Sequence, residues 1–77
     1  MFVKFRLATK WREEVWVNPN NVFAVMDKCL AGVDAGGTAY RDNNSLIYSG
    51  ARGYDGKNYI RVEGSAHEVL AKLNEGN

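Results

Sequence analysis

Few side chains in this sequence carry the chemistry of a catalyst. His67 is the sole imidazole and Cys29 the sole thiol. His67 falls inside Ser65-Ala-His-Glu68, which has the S-x-x-E spacing of a capping box. In that box the Ser65 hydroxyl accepts from the Glu68 amide, and the Glu68 carboxylate reaches back to the Ser65 amide. A general base at His67 needs a nucleophile or carboxylate partner, and Glu68 is engaged in the cap. A helix N-terminus also disfavours a charged imidazolium. His67 is therefore read as a structural surface residue. Cys29 has only Lys28 beside it to favour a thiolate, and strand alternation sends Lys28 to the opposite face. Free cysteines are among the most buried residues, so Cys29 is read as a buried structural thiol. One histidine and one cysteine cannot make a histidine–cysteine metal site. The sequence thus predicts no catalytic residue, no metal and no cofactor.

Glycine spacings suggest phosphate-cradling loops only superficially. Gly36-Gly37-Thr38 and the two Gly-x-x-Gly steps, Gly50 to Gly53 and Gly53 to Gly56, lack the Gly-Lys-Ser/Thr that opens a P-loop helix. The Gly-x-x-Gly of a KH domain joins two helices, and none flank it here. Hairpin turns account for these glycines.

Aromatic and arginine side chains offer more. Trp11, Trp16, Tyr40, Tyr54 and Tyr59 fall at outward or loop positions, with Arg6, Arg12, Arg41, Arg52 and Arg61 near them in sequence or on the same strand face. Trp, Tyr and Arg dominate binding hot spots. Trp16, Arg41, Arg52, Tyr54, Tyr59 and Arg61 are the candidate binding residues. Two readings stand: an interaction or oligomer surface, or a second layer of core under a curled sheet.

Positioning these residues falls to short strands. Val3, Phe5 and Leu7 alternate with Lys4 and Arg6, the period of a half-buried strand over 2–7. Val15 and Val17 resume that pattern over 14–17. Asn18-Pro19-Asn20-Asn21 predicts a turn, with room for one helical turn from Pro19. The β-branched and aromatic run behind it predicts a central strand over 22–30, Phe23 and Val25 sharing its inward face. Residues 31–56 are rich in Gly, Asp and Asn and read as loop. Thr38-Ala-Tyr40 and Leu46-Ile-Tyr48 interrupt it as short strands, the second over 46–49, and 50–56 reads as a mobile loop. A last strand over 58–63 leads to a helix over 66–74, where Ala66, Val69, Leu70 and Leu73 form one apolar face and Gly76 supplies a C-cap. The predicted core is Val3, Phe5, Leu7, Val15, Val17, Phe23, Val25, Leu46, Tyr48, Ile60, Val62, Val69, Leu70 and Leu73.

At 77 residues the chain is one small domain, with no repeat or internal boundary. A core of this size supplies only about 3–5 kcal/mol, so small scaffolds commonly add staples or self-associate. With a single cysteine there is no intramolecular disulfide, and the expectation is a homo-oligomer in a reducing, cytoplasmic setting. Ten basic against nine acidic residues, net +1, argues against a duplex-DNA binder. No apolar run approaches the ~18 residues of a membrane span. The alternating N-terminus does not read as a secretory signal.

In order, Val15-Trp16-Val17-Asn18-Pro19-Asn20-Asn21-Val22, a short strand, a glycine-containing turn and Ile60-Arg61-Val62-Glu63-Gly64-Ser65-Ala66-His67-Glu68-Val69 resemble the small FlbD/SwrD-like proteins. Those join an x-V-x-N-P-x-x-I turn to a V-x-E-S-x-E-E-V strand-to-helix junction, and bacteriophage genomes carry similar short proteins. The likeness spans residues 14–73. It implies a cytoplasmic accessory protein, flagellar in type, with no enzymatic activity and no catalytic residues. Here the Gly-rich stretch is longer than a simple hairpin, and Gly64 precedes the cap serine, which looks more like a phage-type variant.

The expected fold is mostly β (α+β): a strongly bent antiparallel sheet or SH3-like partial barrel of about five strands, closed by one C-terminal helix. The expected function is a non-enzymatic accessory protein that self-associates and binds a protein partner. The alternative is a binder of a small anionic ligand such as a nucleotide or cyclic nucleotide, held by Arg41, Arg52 and Arg61 with stacking by Tyr54 or Trp16.

Overall fold

The computed structural model describes residues 1–9, 11–50 and 56–75. It is mostly β, with five strands and one C-terminal helix: β1 (Val3–Arg6), β2 (Glu14–Val17), β3 (Ala24–Val33), β4 (Ala39–Tyr48), β5 (Ile60–Glu63) and α1 (Ala66–Glu75). The strands divide between two antiparallel sheets, β1-β2 and β3-β4-β5, rather than forming one. A single antiparallel bridge, Leu7 to Val62, and the Ala8 amide donating to the Arg61 carbonyl at 2.9 Å join them.

Local chemistry sets the ends of these elements. In the β1-β2 connection the Leu7 amide donates to the Glu13 carbonyl at 2.7 Å. Asn18 caps a 3-10 turn over Pro19–Asn21, its Oδ1 accepting from the Asn20 amide at 3.0 Å. At α1 the Ser65 Oγ accepts from the Glu68 amide at 3.3 Å, as the capping box requires. The Glu68 carboxylate accepts from the Ser65 hydroxyl, also at 3.3 Å, in place of the expected return to the amide. A second acceptor comes from β3: Asp27 Oδ1 takes the Ala66 amide at 3.0 Å, placing a carboxylate at the positive end of the helix. At the far end, Lys72 Nζ donates to the Lys4 carbonyl at 2.8 Å and lies 4.7 Å from the Phe5 ring centroid. The helix is thus tied to β3 at its start and to β1 near its end. The expected Gly76 cap lies outside the described residues.

Phe5, Leu7, Val17, Ile47, Val62, Val69 and Leu73 form the buried core, with Val3, Val15, Val22, Val25 and Ile60 packed against it. Four expectations change. Ile47 is wholly buried and faces the helix with Val62 and Ile60, so the expected phase of Leu46 and Tyr48 is inverted. Leu46 is nonetheless buried, on the opposite face. Phe23 is 72% exposed because β3 begins only at Ala24, and Val22, capping the 3-10 turn, fills the core instead. Leu70 is exposed on the outer side of α1, and Cys29 is exposed on β3.

Residues 31–50 differ most from expectation. The strand expected over 22–30 runs to Val33, and the two short apolar pieces merge into one ten-residue strand through Arg41-Asp-Asn-Asn-Ser45. Ten consecutive pairs, Ala24↔Tyr48 to Val33↔Ala39, hold them together. The turn between them carries its own lock: Asp34 Oδ1 accepts from the Gly36 and Thr38 amides, both at 2.9 Å, and Gly37 takes φ 82. That is a three-residue hairpin loop with glycine at the left-handed position. In the sheet, β4 is central and β3 is an edge, contrary to the expected central strand. Among the described residues no helix is long and apolar enough to cross a membrane.

The inverted phase of β4 is testable by urea denaturation. Ile47→Val should lower stability by about 0.5–1.5 kcal/mol. Leu70→Gln, at an exposed helix position, should change it by no more than about 0.5 kcal/mol.

Candidate functional site

β5 pairs with β4 only from Asn44 to Ile47, whereas β3 pairs with all ten β4 residues. Beyond Asn44 the β3-β4 pair therefore leaves the body as a two-stranded ribbon, and the molecule measures 43 × 26 × 19 Å. From Asp27 to Val33 and from Ala39 to Asn43 every residue except Gly32 is exposed.

Partners in an antiparallel ladder share a face, so the register sorts the ribbon's side chains. One face carries Met26 with Leu46, Lys28 with Asn44, Leu30 with Asp42 and Gly32 with Tyr40. The other carries Val25 with Ile47, Asp27 with Ser45, Cys29 with Asn43, Ala31 with Arg41 and Val33 with Ala39. Apolar side chains are bare on both: Met26 is 50% exposed, Leu30 41%, Tyr40 47% and Val33 67%. Tyr40 lies flat across Gly32, where an added Cβ would sit 2.8 Å from the Tyr40 hydroxyl oxygen. Glycine is what lets that ring reach over the strand.

The backbone is also unfinished. The Asp34 amide donates to the Thr38 carbonyl at 3.0 Å, which makes that a hydrogen-bonded pair. By alternation the even-numbered residues of β3 bond β4, and Val25, Asp27, Cys29, Ala31 and Val33 turn their N–H and C=O groups outward. The Gly64 amide donating to the Asn43 carbonyl at 2.9 Å, on the other side of β4, fits the same alternation. No described strand pairs with the outer edge of β3.

The residues proposed for binding are scattered over this frame. Arg41 lies on the ribbon. Trp16 stands on the outer face of β2, paired with Lys4 and 56% exposed. Tyr59 is half-buried, its ring 5.4 Å from that of Tyr48, which in turn lies 6.5 Å from Phe23. It belongs to a packed aromatic row rather than to an open stacking platform. Arg61 is half-buried on β5; with the Asn44 amide oriented to satisfy its neighbours, Arg61 Nη2 donates to Asn44 Oδ1 at 3.1 Å. Arg52 and Tyr54 lie outside the described residues.

Arg41 also lines an open groove of about 470 Å³ at the base of the ribbon, together with Arg12, Asp42, Asn44, Glu63 and Glu68. Neither Arg61, Tyr59 nor Trp16 lines it. Two guanidinium groups face three carboxylates there, and Arg12 Nε lies 3.6 Å from Glu63. This balance does not favour an anionic ligand in the groove. Met26, Leu30, Gly32 and Val33 were absent from the sequence-derived candidates. For Gly32 and Val33 the signal was the pair of triplets Ala31-Gly-Val33 and Thr38-Ala-Tyr40, set symmetrically about Asp34-Ala-Gly-Gly37.

No family model, no curated protein and no solved structure matches this chain.

The groove's charge gives a direct expectation. Nucleoside triphosphate or cyclic nucleotide at 1 mM should leave the thermal midpoint unchanged, whereas a ligand at one hundred times its Kd would add about 2.7 kcal/mol of stability.

Proposed function

We propose that this protein is a non-enzymatic accessory protein that self-associates, with the β3-β4 ribbon as its interaction element. The observation that carries this reading is a ten-residue edge strand with bare apolar side chains on both faces of the ribbon beside it. An isolated two-stranded hairpin is at best marginally stable in water. A long, exposed, apolar edge is also a template for pairing with another chain. A ribbon built this way gains its missing hydrogen bonds and cover when a strand is added to it.

The same reading accommodates the resemblance to FlbD/SwrD-like proteins and to their phage-borne counterparts, which imply a cytoplasmic accessory role. Trp16 on the outer face of β2, with exposed Phe2 just ahead of β1, is a second apolar surface and is assigned to a protein partner.

Sedimentation or light scattering in reducing buffer tests the self-association. The expected mass at micromolar concentration is twice the 8.6 kDa of the chain. Val33→Glu, at an exposed ribbon position, should shift the molecule to monomer without loss of the circular dichroism of the fold. A monomer at every concentration up to the millimolar range would remove the proposal.

A further inference from the structure

We infer that the ribbon's partner is a second copy of this chain, with β3 paired antiparallel to its own counterpart about a two-fold axis at Cys29. This rests on the proposed self-association and specifies its surface and register.

The register follows from symmetry, hydrogen bonding and charge. A two-fold that relates antiparallel copies of one strand stands perpendicular to the sheet, so like faces lie on the same side and odd residues oppose odd ones. The midpoint of Ala24–Val33 leaves two central registers, on Lys28 or on Cys29. Centring on Lys28 sets two ammonium groups directly opposite each other, a destabilising pairing. Centring on Cys29 avoids it. The odd residues, whose backbone groups point outward, then form hydrogen-bonded pairs: Cys29 with Cys29 of the second copy, Ala31 with Asp27, and Val33 with Val25. That completes roughly ten backbone hydrogen bonds.

Side chains in this register meet complements on both faces. Ala31 is small and lies between Arg41 on its own β4 and Asp27 of the second copy, so the guanidinium can extend over it to that carboxylate. On the opposite face Leu30 separates Asp42 from Lys28 of the second copy, and the long lysine chain spans it. Val33, 67% exposed in the single chain, comes beside Val25 and the rim of the partner's core. Tyr40, lying across Gly32, reaches the edge where Met26 of the second copy arrives. Met26, Leu30 and Val33 thereby gain cross-strand neighbours, and the charged residues of the central rows, Asp27 with Arg41 and Lys28 with Asp42, face their opposites across the two copies. The continuous six-stranded sheet that results has β5 at both outer ends, where the Leu7–Val62 bridge continues it into β1-β2.

The test combines oligomeric mass with site-directed cross-linking of the full chain. In reducing buffer the protein should sediment as a dimer. A short bifunctional maleimide should then link Cys29 to Cys29, since hydrogen-bonded partners lie about 5.5 Å apart at Cα. On a Cys29→Ser background, Val25→Cys and Val33→Cys chains should each link poorly alone and at least tenfold better when mixed. Lys28→Asp should weaken dimerisation at least tenfold, and adding Asp42→Lys should restore it. A dimer that links neither at Cys29 nor in the Val25/Val33 mixture overturns this register while leaving self-association standing. A monomer overturns both.

Discussion

Strand β4 is bonded to β3 over ten residues and to β5 over four, and that mismatch shapes the molecule. The inner half of β4 contributes Ile47 and Ser45 to a buried face shared with Val62 and the helix. Its outer half has only β3 for company. The chain therefore folds as a small body with a ribbon leading out of it. The body can satisfy its own backbone through β5 and the bridge to β1; past Asn43, whose carbonyl accepts from Gly64, the ribbon pairs only the inner side of each strand among the described residues.

The helix is what makes the asymmetry durable. Asp27 sits where β3 leaves the body and accepts from the first amide of α1, so the ribbon's root and the helix start are one structural unit. Ser45, buried beside it, donates its hydroxyl to the Gly64 carbonyl at 2.8 Å and ties β4 to the strand-to-helix junction. Lys72 then fastens the helix to β1. The ribbon is consequently held at its base by a cap, a hydroxyl bond and the Val25–Ile47 contact with the core. An element so anchored presents a preset edge, and preorganisation lowers the ordering cost of association.

Much of this was legible in the residues themselves. The alternation of Val3, Phe5, Val15 and Val17, the Asn18-Pro19 turn and the Ser65 cap all express local rules, and each appears where those rules put it. The run Arg41-Asp-Asn-Asn-Ser45 was not legible as strand, because its residues have low strand preference and are held extended by pairing, all five with β3 and Asn44 and Ser45 also with β5. The phase of Leu46-Ile-Tyr48 was ambiguous for a related reason: all three are apolar, and both faces of β4 are covered at that point. Cys29 was assigned to the interior by residue type, yet its position on the ribbon, beyond the reach of the body, decides its exposure. Among the binding candidates, Arg41 was read within a loop and pairing with Ala31 places it on the ribbon, whereas the Tyr59 ring packs on Tyr48 and Arg61 Nη2 is taken up by Asn44.

The central claim is that the outward backbone of β3 is paired in solution with another copy of itself. Residue-resolved amide hydrogen exchange reads those groups one by one. In the dimer the amides of Val25, Asp27, Cys29, Ala31 and Val33 should be protected about as well as those of the even-numbered residues bonded to β4, and that protection should fade on dilution. Rapid exchange of the odd-numbered amides at every concentration, beside protected even-numbered ones, would contradict the account.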